Sequence, residues 1–167
     1  EFATSFWAAA LLKERVGSTA AISTVAIVAL GTGMGIGRWF GGLWLKRLAL
    51  DNQLQAIIAL QFLGFLGFWL SHNMVLSLAC LFVVGLGISM QFALSSIRLI
   101  GLSDGRPDLA IGRSSLAAGI AIAGAPFLLG LLGDSFGISR AYIMVFVLIA
   151  IAFIIVRLIP SHVKDSV

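Results

Sequence analysis

Residues 74–94 read MVLSLACLFVVGLGISMQFAL, a run of 21 positions without a lysine, arginine, aspartate or glutamate. An α-helix needs roughly 20 apolar residues to cross about 30 Å of hydrocarbon. It also satisfies its own backbone hydrogen bonds there, which irregular chain cannot. The same pattern recurs on either side, at Ala20–Phe40, Leu54–Leu70, Ser114–Gly133 and Tyr142–Leu158. Phe2–Leu12 has about half the required length and reads as the second half of a spanning helix. The expected fold is all-α, a polytopic membrane helix bundle of one partial plus five full transmembrane helices. It occupies residues 1–160, with a short tail at 161–167. A composition of 60% hydrophobic and 11% charged residues, with a mean hydropathy of +1.09, excludes a water-soluble core of ordinary kind.

Between the runs lie Lys13-Glu14-Arg15-Val16-Gly17, Lys46-Arg47 through Asp51-Asn52, Ser71-His72-Asn73, Ser103 through Asp108, and Gly137-Ile138-Ser139-Arg140. Glycine, proline and aspartate there stop helices for backbone reasons. A formal charge of +4 raises the question of nucleic acid, but the basic residues sit at span ends and form no basic face interleaved with aromatics. Arg38, Lys46, Arg47, Arg98, Arg106, Arg113, Arg157 and Lys164 fall on one side; Lys13, Arg15 and Arg140 fall on the other. The richer side is expected to face the cytoplasm, which gives a multi-pass protein of the cell (plasma or inner) membrane with a cytoplasmic C-terminus. Cys80 is the one cysteine, so no disulfide is available. His72 and His162 fall in a connector and the tail, so no metal site and no cofactor are expected.

Glycines recur within the spans. Gly31, Gly33, Gly35 and Gly37 occupy alternate positions, followed by Gly41 and Gly42; Gly119, Gly124, Gly130 and Gly133 mark the fifth span. Small residues at helical spacing let backbones approach closely in lipid, where the hydrophobic effect does not hold helices together. Pro126 is expected to kink the fifth span, because it removes one backbone hydrogen bond.

Gly37-Arg38-Trp39-Phe40-Gly41-Gly42-Leu43-Trp44-Leu45-Lys46-Arg47 resembles a signature of the major facilitator superfamily (MFS) of secondary transporters. That signature, Gly-Arg-x-x-Gly-Gly-x-x-x-Asp-Arg, lies at the connector between the second and third helices of each six-helix half. Residues 124–137, GAPFLLGLLGDSFG, are similar to the Gly-x-Pro-x-x-x-Gly-x-x-x-Asp-x-x-Gly pattern that closes the fifth helix of a half. Residues 1–12 look like the seventh helix of sugar-permease-like or drug-exporter-like members. The resemblance covers nearly the whole chain and implies helices 7–12 of a twelve-helix transporter, the first truncated. Lys46 stands where the family has an acid that takes part in a charge latch, and Ala49 where it has a glycine; Asp51 lies close by. The conformational motif implied comprises Gly37, Arg38, Gly41, Gly42, Lys46, Arg47, Pro126, Gly130 and Asp134.

Polar groups at membrane depth are costly and usually face the bundle interior or a water-filled path. Glu1 would sit near mid-membrane on a helix that lines the central cavity of the resembled fold. A carboxylate there can take up a proton or accept hydrogen bonds from a substrate. Ser89, Gln91 and Ser95 lie on the other cavity-lining helix, with Gln91 and Ser95 four apart on one face. Ser5 and Trp7 are further candidates for substrate or proton binding; packing is the competing role for Trp7, and helix–helix hydrogen bonding for Gln91. Gln61 is expected to make a packing hydrogen bond, and Asp134 and Arg140 to pair across an outer turn. Gly87-Ile88-Ser89 places a serine at depth, but nucleophilic catalysis needs a base within reach and neither histidine lies there, so no enzyme activity and no catalytic residue are expected.

The expected function is secondary active transport of a small solute, sugar-like or drug-like, by alternating access coupled to H+ or Na+ as symporter or antiporter. Its partners would be the lipid bilayer, an amino-terminal six-helix half and the solute. The alternative is a stand-alone six-helix membrane scaffold or channel subunit.

Overall fold

The computed structural model describes residues 2–17 and 20–161. All regular structure among them is helical: α1 (Phe2–Val16), α2 (Ala20–Leu45), α3 (Leu50–Leu70), α4 (Met74–Ile88), α5 (Gln91–Gly101), α6 (Pro107–Phe136), α7 (Ile138–Ala141) and α8 (Ile143–Leu158). Four stretches are long and apolar enough to cross a membrane: Leu50–Leu70, Met74–Gly101, Pro107–Phe136 and Ile138–Leu158. The 26-residue α2 contains the expected span Ala20–Phe40 and continues past it through Gly41 and Gly42.

Local chemistry sets the helix ends. α1 runs beyond Leu12, through Lys13-Glu14-Arg15, until Gly17 adopts φ +65° and its amide bonds the Lys13 carbonyl at 3.0 Å. Glycine takes that left-handed conformation without a Cβ clash. Asn73 opens α4, its side-chain oxygen accepting from the amides of Val75 (2.9 Å) and Leu76 (3.2 Å). α6 starts with Pro107 in its first turn, where a missing N–H costs nothing, so it begins seven residues before the expected Ser114. Its 30 residues extend over about 45 Å and include Pro126 without ending there.

The largest departure from expectation concerns the fourth span. An unbroken helix over Met74–Leu94 is expected; instead the helix stops at Ile88, turns at Ser89–Met90 and restarts at Gln91. Met90 has φ −113° and ψ 0°, the sparsely allowed bridge region. The last span is likewise interrupted at Tyr142, between α7 and α8.

α4 is the centre of the bundle, packed on α2 and on α3. α8 lies on α3, and α1 bridges α2 and α6. Phe65 anchors the core, fully buried, with ring contacts to Phe68, Tyr142 and Phe146 at 6.4, 5.5 and 4.8 Å. Aromatic packing of this kind adds to dispersion, which holds helices together where water is absent.

Candidate functional site

The break in the fourth span gathers several of the residues expected to matter. One face of α2 carries Gly33, Gly37 and Gly41, spaced by four, and all three lie against α4 and the turn that follows it. A Cβ on Gly33 would overlap the Phe82 carbonyl; one on Gly37 would overlap the Ser89 side chain; one on Gly41 would meet the Met90 sulfur. Gly85 answers from α4, facing the Leu30 carbonyl. The two backbones therefore approach too closely there to admit a side chain.

That proximity puts Arg38 beside the break. Its Nε donates to the Ser89 carbonyl at 3.2 Å, while the Ser89 hydroxyl donates to the Leu86 carbonyl at 2.6 Å. Two backbone oxygens at the interruption are thus satisfied by side chains, as buried carbonyls in an apolar setting require. On the far side of the break, Gln91 Nε2 donates to Gln61 Oε1 on α3 at 2.6 Å. Gln61 is buried and its backbone lies against Gly87. Ser89 and Gln91 therefore make helix-to-helix or intrahelical bonds, whereas Ser95 is exposed on α5.

A second group forms between α1 and α6. Trp7 Nε1 donates to the Pro126 carbonyl at 3.1 Å, and its ring covers Gly130, whose Cβ position lies 3.1 Å from Trp7 Cζ2. A shallow pocket of about 510 Å³ is lined there by Trp7, Ala9, Ala10, Pro126 and Phe127. Ser5 is half-buried on the same helix. Glu1 lies outside the described residues. Gly42, Lys46, Arg47 and Asp134 are exposed. Asp134 and Arg140 do not pair: the one ion pair among the described residues is Arg98–Asp51.

That pair belongs to a tie absent from the sequence reading. Arg98 Nε meets Asp51 Oδ1 at 2.8 Å, Asp51 Oδ2 accepts from the Ser161 amide at 2.6 Å, and Arg98 Nη2 donates to the Ile159 carbonyl. The start of α3, the end of α5 and the end of α8 are thereby joined. A counterpart lies at the opposite end. Arg15 Nη2 donates to Ser139 Oγ at 2.6 Å, its guanidinium sits 5.1 Å from the Trp69 ring, and Trp69 Nε1 donates to the Ser139 carbonyl at 2.8 Å. Sequence spacing carries no signal for either tie, because partners stand 47 to 124 positions apart. The positions of Asp51 and Trp69 at the termini of an apolar run are the only local hint.

Among the described residues no group of three or more His, Cys, Asp or Glu side chains is placed to hold a metal. The fold and its four long apolar helices define an all-helical, membrane-embedded protein. Compared with known proteins, the chain matches no protein-family model, no curated protein and no solved structure.

Proposed function

We propose that the chain is the carboxy-terminal half of an MFS-type secondary transporter, moving a small sugar-like or drug-like solute by alternating access with H+ or Na+ as coupling ion. One observation supports this reading above the others. α2 has a second glycine row, Gly31 and Gly35, on the face opposite Gly33 and Gly37, and apart from the adjoining backbone of α2 itself no atom lies within 4 Å of either Cβ position. Gly112, Gly119 and Gly124 of α6 are equally open, and only 6% of the apolar window of α6 is buried, against 39% for the third and fourth spans. Small residues bring helices together in lipid, and a face that only meets acyl chains has no need of them. A second helical body across α2 and α6 gives these glycines a purpose, and alternating access works by rocking two such bodies around a midplane site.

The test is uptake by proteoliposomes holding the full gene product, with radiolabelled sugars and fluorescent lipophilic cations offered under imposed H+ or Na+ gradients. Saturable, gradient-dependent accumulation of one class is expected. No accumulation of either class, together with unitary conductance steps in planar bilayers, would replace the transporter reading with the six-helix channel subunit.

A further inference from the structure

We infer that Arg38 is a positioning residue that holds the fourth span broken by competing with a backbone amide for the Ser89 carbonyl. In an uninterrupted α-helix that carbonyl accepts from the amide four residues on, which is Ala93. Here it accepts from Arg38 Nε instead, at 3.2 Å. The Leu86 carbonyl is diverted in the same way, to the Ser89 hydroxyl at 2.6 Å rather than to the Met90 amide. The interruption has no proline or glycine at its centre to force it, since residues 88–92 read ISMQF. Every residue in it is able to continue a helix, so the broken form depends on the side chains that take up its carbonyls.

The two halves of the span are held unequally. α4 buries six residues between α2 and α3, including Leu81, Val84 and Ile88. α5 buries Leu94 alone and is otherwise fixed through polar bonds, Gln91 to Gln61 at one end and Arg98 to Asp51 at the other. A segment retained by few apolar contacts and exchangeable polar ones has two arrangements within reach. In one, the span is bent at Ser89–Met90 with Arg38 on the carbonyl. In the other it is straight, Ala93 takes the carbonyl, and α5 swings about Gly87–Gln91 relative to α2. The inference concerns the fold of this span and stands independently of the transport reading.

The experiment measures amide hydrogen exchange at Met90–Ala93 in lipid nanodiscs, for the native protein and for Arg38→Met, which keeps the bulk and removes the donor. A hydrogen bond to a charged group is worth enough to change such an equilibrium about tenfold, so exchange at Ala93 slows about tenfold in Arg38→Met. Arg38→Lys retains a cationic donor and restores the native rate. A purely structural role for Arg38 has the opposite sign, since destabilisation speeds exchange throughout the chain. Spin labels at Leu43→Cys and Leu102→Cys, in a Cys80→Ala background, report the swing as a second distance population in Arg38→Met. Unchanged or faster exchange at Met90–Ala93, with a single unshifted distance, overturns the inference. Should Arg38→Met fail to fold, Ser89→Ala, which frees the Leu86 carbonyl, is expected to slow exchange at Met90; no slowing there counts equally against it.

Discussion

Gly33 and Gly35 are two positions apart on one helix and have opposite surroundings. Gly33 faces the Phe82 carbonyl and the Leu86 amide, both backbone and unable to yield; apart from the adjoining backbone of α2 itself, nothing lies within 4 Å of the Gly35 Cβ position. Gly33→Ala should therefore lower stability by about 1–3 kcal/mol through overpacking. In the same chain Gly35→Ala should be neutral, or stabilising by up to about 1 kcal/mol from helix propensity. Thermal unfolding in one detergent decides it, and equal effects at both positions would contradict the packing of α2 on α4. The sequence displays the alternate glycines plainly but not which row is occupied, because a period of two places successive glycines on opposite faces of a helix. Asp51 poses a similar problem at residue scale. Its carboxylate is bonded to Arg98 and to the Ser161 amide, two groups remote in sequence. Asp51→Asn should cost about 1–3 kcal/mol and speed exchange of the Ser161 amide, since a charge-assisted bond and its partner's compensation are lost together. Unaltered exchange at Ser161 would show that the end of α8 is held by other means.

Helix existence was legible in the apolar runs; helix continuity was not. An 18-residue window within residues 74–101 has a mean hydropathy of 2.1, and serine, methionine and glutamine at 89–91 barely register against such a background. The break rests on Arg38, from a different helix, and no local reading of residues 74–94 contains that information. Boundaries drifted for a related reason. α6 exceeds the expected Ser114–Gly133 because charged and polar residues such as Asp108, Arg113 and Asp134 extend a helix as readily as apolar ones do, and α2 exceeds Ala20–Phe40 because Gly41-Gly42-Leu43-Trp44-Leu45 continues it. The Gln61–Gln91 bond belongs to this scale, since it ties α3 to α5 just past the break. A double-mutant cycle with Gln61→Leu and Gln91→Leu, read by unfolding free energy, should return a coupling of about 0.6 kcal/mol, the average for interhelical side-chain bonds in membranes, and no more than about 1.7. Additive effects would mean the two amides do not depend on each other. Gln91 and Ser95, expected on one face of a cavity-lining helix, divide here: Gln91 turns to α3, and Ser95 remains exposed.

Across the whole molecule, the polar ties sort by end. Asp51, Arg98 and Ser161 meet at the end where α3 begins after the Lys46-Arg47 turn, and Arg15, Trp69 and Ser139 meet at the opposite end. The helix order from α1 to α8 brings these groups together end by end, through contacts between residues distant in sequence. The charge bias is the argument for which end faces the cytoplasm. The sequence expectation counts eight lysines and arginines on the Lys46 side, Lys164 among them outside the described residues, and three on the Arg15 side, a bias of the kind that sets orientation when connectors are short. Single cysteines at His72 and at Asp104, each exposed and in a Cys80→Ala background, separate the outcomes. A membrane-impermeant maleimide applied to intact cells should label His72→Cys, and should reach Asp104→Cys only after permeabilisation. The reverse pattern would invert the molecule and put the basic connectors outside, where the signature-like segment around Gly37–Arg47 and the Arg38-capped break could no longer act on the cytoplasmic side of any transport cycle.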